Sequence, residues 1–186
     1  MKYAIIHRPE IDRTELEGIS KKYDPHFGLV GPHITLAFPF PTNGIDEAKL
    51  KDNIKAVAVA TKPFVVTLAD TELSWDQWLF LIPTNGRIEV EQLHDRFYQL
   101  AEIKPYLRAD IPFVPHIALG QFVLPGSNYD LSNPTKVPLD QERYAVAKDE
   151  IDKMALNYEY TATKIELISV ADDFKSTKTV AAFNLG

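Results

Sequence analysis

Apolar residues fall along this chain in short blocks, and their spacing switches between strand-like and helix-like from block to block. Residues 2–7 predict a strand. Asp12-x-x-Glu15 predicts a capping box that opens a helix, with Ile11, Leu16, Ile19 and Tyr23 at helical spacing. Asp24-Pro25 ends that helix, and a loop with two glycines leads to Pro32. A strand over 33–38 follows, stopped by Pro39 and Pro41. Asn43-Gly44 is a turn, and 45–60 predicts a helix with Ile45, Leu50, Ile54 and Val57 or Val59 facing inward. Residues 64–68 form a strand continuing toward Leu73, and 78–82 form another, stopped by Pro83.

After the turn Asn85-Gly86, residues 88–103 carry the clearest helical stripe: Val90, Leu93, Phe97, Leu100 and Ile103. Pro105, Pro112 and Pro115 give an extended, restricted lead-in to a strand over 116–123. A polar loop holds Pro125-Gly126 and Asn133-Pro134. Residues 139–155 predict a charged amphipathic helix with Tyr144, Val146 or Ala147, Ile151 and Met154 as its apolar positions. The end reads as a hairpin of 158–171 and 179–185 across a polar turn.

This order of elements occurs twice. Strand, helix, strand, helix, strand is followed by a second pass that starts at 78–82. Each pass contains one related pentapeptide. The first is Pro32-His33-Ile34-Thr35-Leu36. The second, 83 residues further on (116 − 33), is Pro115-His116-Ile117-Ala118-Leu119. Side chains alternate along a strand, so His33 shares a face with Thr35, and His116 with Ala118. The expected fold is α+β, one bilobal domain over 1–186. Two antiparallel-rich halves would be related by a pseudo-twofold axis, with the motif strands meeting at a central cleft and helices on the outer faces.

Composition narrows the chemistry. The chain has 186 residues, 45% of them apolar, which is enough for a sizeable core. It has no cysteine, which excludes disulfides, thiolate zinc sites and cysteine nucleophiles and suits a cytoplasmic protein. The opening apolar run is too short for a signal peptide, and no window approaches the roughly 18 apolar residues of a membrane span. A net charge of −6 argues against a broad nucleic-acid surface, so no DNA partner is expected, and a monomer is favoured. A small anion in a local cleft remains compatible with that charge.

Two imidazoles on matching strands suit phosphoryl transfer at a diester without a metal. Their unperturbed pKa of about 6.5 lets one ring be neutral and the other protonated near neutral pH. The neutral ring takes the proton of the attacking hydroxyl, and the protonated ring supplies one to the leaving oxygen. A hydroxyl two residues after a histidine lands on the same face and can donate to a phosphate oxygen. The paired motifs, their separation and the repeated order resemble the two-histidine (2H) phosphoesterase superfamily, which includes 2′-5′ RNA ligase-like and 2′,3′-cyclic phosphodiesterase proteins. Lys22-Tyr23-Asp24-Pro25, followed by Leu29-Val30-Gly31-Pro32-His33, is similar to the branch of small bacterial proteins provisionally named phosphoesterases.

The resemblance implies a metal-independent phosphoesterase acting on 2′,3′-cyclic or 2′-5′ bonds of a nucleotide or RNA end. It implies His33 and His116 as the acid-base pair, Thr35 as a phosphate-oxygen donor, and no cofactor. The corresponding second donor position is Ala118, which has no hydroxyl. An alternative is therefore a catalytically impaired module that binds a nucleotide or RNA end.

Other residues carry less. The motif strands hold no carboxylate, and no close His/Asp/Glu cluster has metal-ligand spacing. Trp75, Trp78, Phe38, Phe122 and Tyr106 could stack on a base, though core packing is their commoner use. Arg87, Arg108 and Lys62 could steer an anion, with solvated surface as their default. His94 is expected at the boundary of a helix, partly exposed; His26 lies in a loop, and His7 ends the first strand.

Overall fold

A computed structural model describes residues 1–127 and 137–186. The chain runs β1 (Lys2–His7), α1 (Thr14–Tyr23), β2 (Ile34–Pro41), α2 (Glu47–Val59), β3 (Phe64–Ser74), β4 (Trp78–Asn85) and α3 (Arg87–Phe97). A 3-10 turn (Lys104–Tyr106) follows, then β5 (Ile117–Gln121), α4 (Gln141–Met154), β6 (Tyr158–Ala162), β7 (Lys164–Val170) and β8 (Thr177–Asn184). The part of the expected polar loop that holds Asn133-Pro134 lies outside the described residues.

Two four-stranded antiparallel sheets result, ordered β2-β1-β7-β8 and β5-β4-β3-β6. The duplicated order is visible in them. Each half begins with a central strand and its motif strand at the sheet edge: β1 with β2, and β4 with β5. Each half then sends a strand across. β3 leaves the first half to pair with β4, and β7 leaves the second to pair with β1. Helices cross too, since α1 packs against β5 and α3 against β2.

These crossed helices cover the free edges of the motif strands, which would otherwise present unpaired backbone groups. On α3, His94 Nδ1 donates to Leu36 O at 2.9 Å, and Tyr98 Oη accepts from Phe38 N at 3.1 Å. On α1, Ser20 Oγ donates to Ala118 O at 3.5 Å. His94 is therefore buried, not a boundary residue; its ring stacks on Phe113 with centroids 3.7 Å apart. Gly120 allows α1 its close approach: a Cβ there would sit 2.6 Å from Tyr23 Cβ. Gly120→Ala should lower stability by about 1–3 kcal/mol through overpacking, read as a lower denaturation midpoint with an unchanged m-value.

Several boundaries differ from the sequence pattern. β2 runs through Pro39 and Pro41, because an edge strand tolerates missing N–H donors and Pro39 falls in a register shift. β4 passes Pro83 because β5 pairs only with Trp78–Leu81, so beyond that point one side of β4 needs no donors. The segment after Phe97 keeps its inward Leu100 and Ile103 but winds as turns with i→i−3 bonds, not as helix.

At the start of α1 there is no capping box. Asp12 Oδ1 accepts from Thr14 N at 3.0 Å, while Glu15 accepts from the Tyr158 hydroxyl. The expected single strand 158–171 breaks at Thr163, placing β6 and β7 in different sheets. His7 helps hold that crossing. Its Nδ1 donates to Lys164 O at 2.8 Å, and its Nε2 accepts from the Tyr160 hydroxyl at 3.1 Å.

Candidate active site

The two motif histidines are held in the same way. Each stands one residue before its strand, directly after a buried proline. His33 Nδ1 donates to Gly31 O at 2.7 Å, and His116 Nδ1 donates to Val114 O at 2.5 Å. A carbonyl can only accept, so both neutral rings carry their proton on Nδ1 and present a lone pair at Nε2. A turn that closes a side chain onto its own backbone two residues back fixes ring direction without help from distant elements. Gly31 lies at φ +75°, a left-handed conformation that suits glycine in that turn.

Burial pushes both rings down from the ordinary imidazole value, to about 4. At His33 the Gly31 carbonyl opposes the shift, the Arg8 charge adds to it, and Glu166 weakly opposes it. At His116 the Val114 carbonyl opposes, and the charge of His33 lowers the value further. His116 is also set between aromatic rings: Phe80 stacks on it at 3.4 Å between centroids, and Trp75 meets it edge-on at 5.3 Å. Behind His33, Arg8 Nε donates to Glu166 at 3.2 Å, and Arg8 also bonds Val30 O in the same loop.

A cleft of about 730 Å³ lies between the sheets and is lined from both motif strands. His33, Thr35 and Ala118 line it, and so does Ile117, the residue directly after His116, whereas His116 itself is not among the lining residues. Its floor on the first sheet is apolar, with Ala4, Ile6, Ile168 and Val170 packed under Val30 and Phe174. Trp75, Trp78, Phe38 and Tyr106 line the cleft, whereas Phe122 is wholly in the core. Arg108 reaches the cleft and holds Asp110 with two bonds of 2.8 and 2.7 Å. Arg87 instead pairs with Glu91, and Lys62 lines a separate shallow cavity.

Four further cleft residues were not singled out for a functional role from the sequence. Lys2 rests its Nζ 4.3 Å from the centre of the Phe174 ring. Asp24, whose carboxyl is pushed up by burial, accepts from His26 N at 2.8 Å. His26 lines the wall and stacks over Trp78. Ser20, from α1, is buried at the cleft edge. Only Ser20 had a readable cue: a hydroxyl on the apolar stripe of a helix.

A profile of the 2′-5′ RNA ligase superfamily matches residues 7–173, which include both histidine turns. The chain belongs to the 2′-5′ RNA ligase superfamily. Among curated relatives, a Bacillus licheniformis protein provisionally named a phosphoesterase is 28% identical over 169 residues, covering 86% of this chain and 90% of its own. A Geobacillus kaustophilus protein named likewise is 29% identical over 132 residues, 69% of this chain and 73% of its own.

Solved structures share the fold at lower identity. TT0787 of Thermus thermophilus superposes with a TM-score of 0.60 at 18% identity, over 100% of this chain and 98% of its own. E. coli LigT, solved with phosphate, gives 0.57 at 16% identity, over 99% and 96%. The two-sheet architecture of this 2′-5′ RNA ligase superfamily member is thus shared across nearly its whole length. Among the described residues, no helix is long and apolar enough to cross a membrane.

Proposed function

We propose that the chain is a metal-independent phosphoesterase that opens 2′,3′-cyclic or 2′-5′ phosphodiester bonds of a nucleotide or RNA end. One observation carries this reading above the others. Two proline-histidine turns hold their imidazoles by the same Nδ1 bond, and the strands that follow them bring Thr35 and Ala118 to one cleft. Superfamily membership and the phosphoesterase names of the relatives support it. The phosphate and 3′-AMP bound in LigT supply a fitting ligand class.

In this reading one neutral Nε2 removes the proton of an attacking hydroxyl. The new P–O bond forms as the old one breaks, and the other ring, protonated at Nε2, gives its proton to the departing oxygen. Both rings are neutral at pH 7, since burial pushes both down to about 4. An anionic phosphate between them favours the charged form and raises the acid's pKa on binding. NMR titration of the imidazoles should show both midpoints moving up from about 4 when inorganic phosphate is added; unmoved midpoints would place phosphate elsewhere.

Thr35 lines the cleft beside His33 and donates to a phosphate oxygen. A hydrogen bond to a charged group contributes about 1.5–3 kcal/mol, so Thr35→Val should slow turnover roughly 10- to 100-fold. Hydrolysis of a 2′,3′-cyclic nucleotide in excess chelator tests the whole reading. Phosphate or nucleotide binding with no turnover of any such diester would instead favour the binding module, for which Ala118 is the supporting observation.

A further inference from the structure

We propose that Ser20, on α1, is a phosphate-binding residue that supplies at the second histidine the hydroxyl Ala118 lacks. This rests on the phosphoesterase reading above for its catalytic consequence, and on the geometry of α1 for its placement.

Ser20 stands on the inward face of α1 with Leu16, Ile19 and Tyr23, and is 5% exposed. It nevertheless lines the cleft, as does Ala118. Its side-chain hydrogen bond reaches Ala118 O at 3.5 Å, well beyond the usual O–H···O separation of about 2.7–2.8 Å. A buried hydroxyl so loosely held adds little to stability, and alanine would favour the helix more. A serine there is therefore poorly explained by packing. The same looseness leaves its O–H able to turn from the Ala118 carbonyl toward an oxygen of a bound phosphate.

The other half of the molecule shows the complementary arrangement. There the motif strand carries its own hydroxyl, Thr35, and the crossing helix covers the strand edge with His94, bonded to Leu36 O at 2.9 Å. The helix residue holds the strand edge by a bond of ordinary length where the strand has a hydroxyl. Where the strand has only a methyl group, the crossing helix brings a hydroxyl with weak ties of its own. The two halves thus offer one donor each, from a strand at His33 and from a helix at His116.

The test uses the full chain in four forms: wild type, Ser20→Ala, Ala118→Thr and the double variant. Calorimetry with inorganic phosphate reads binding without any turnover. Ser20→Ala should weaken phosphate about 10-fold or more while leaving the melting temperature unchanged or slightly higher. Ala118→Thr should restore the affinity in the double variant and add little to wild type. With a phosphorothioate diester, Ser20→Ala should also change the preference between the two diastereomers at phosphorus, because one non-bridging oxygen loses its donor.

Unaltered phosphate affinity in Ser20→Ala, or a lowered melting temperature with affinity intact, would overturn the proposal and leave the phosphoesterase reading standing. A large gain from Ala118→Thr in wild type would overturn it as well. Absence of turnover in wild type, with phosphate affinity still dependent on Ser20, would remove the catalytic reading and keep the assignment of Ser20. Absence of phosphate binding in wild type would overturn both.

Discussion

Replacing either His33 or His116 by alanine should cut turnover of a 2′,3′-cyclic nucleotide by about 10²- to 10⁴-fold, the range of a lost general acid or base. The double replacement should cost little more than the worse single one. Proton removal and proton delivery belong to one displacement, so removing one partner leaves the other with little to do. The side-chain hydrogen bond of each ring goes to its own turn, at Gly31 or Val114, so the loss at His33 should be kinetic, while at His116 the lost stacking on Phe80 adds a stability cost that the melting temperature reads separately.

Leaving-group chemistry then assigns the roles. With a p-nitrophenyl ester the departing oxygen needs no proton. The variant lacking the acid should recover most of its rate on that substrate, and the variant lacking the base should not. Full turnover in the double variant on the cyclic nucleotide would end the acid-base assignment.

The second large effect is on pH. A cyclic phosphodiester stays a monoanion through the neutral range, so kcat/KM reports the protonation of the free enzyme. One ring must be neutral and one protonated, and both titrate near 4. The productive form is therefore most abundant on the acid side. Above about pH 5, kcat/KM should fall roughly tenfold per unit, since each unit removes nine-tenths of the protonated acid. The limb in kcat should lie at higher pH, because bound phosphate favours the charged ring. A kcat/KM maximum near pH 7 would mean that the rings are not desolvated as described.

The same shifts act on the fold. Between pH 6.5 and 4 the unfolded chain takes up protons that His33 and His116 refuse in the native state. Stability contributed by the neutral rings is present above that window and is lost as pH falls through it. Rates at the acid end are best compared at temperatures well below the melting transition.

Much of this was legible in the sequence, because much of it is local. The repeat of Pro-His-Ile signals two strand starts, and the turn that orients each imidazole is made by residues within two positions of it. Alternation along a strand placed Thr35 and Ala118 on the histidine face without knowledge of the rest. What spacing could not show was which sheet a strand joins. Residues 158–171 read as one apolar run, yet Thr163 divides them between sheets, and nothing in the alternation of Tyr158, Tyr160 and Ala162 names β3 as their partner. His94 looked like a boundary residue because its cover, Phe113 and the edge of β2, comes from elsewhere in the chain. Ser20 went unread for the same reason: its neighbour Ala118 is 98 residues away.

The exchanged strands have a consequence for ancestry. Neither half carries a whole sheet, because β3 completes the sheet begun by β4 and β7 completes the one begun by β1. A chain of half this length could satisfy its backbone only by lending its last strand to a second copy and borrowing that copy's in return. Such a swapped homodimer would have presented two identical histidine turns to one shared space. Within one chain each copy of the motif is free to differ from the other, as Thr35 and Ala118 do, whereas a symmetric pair would carry any such change twice.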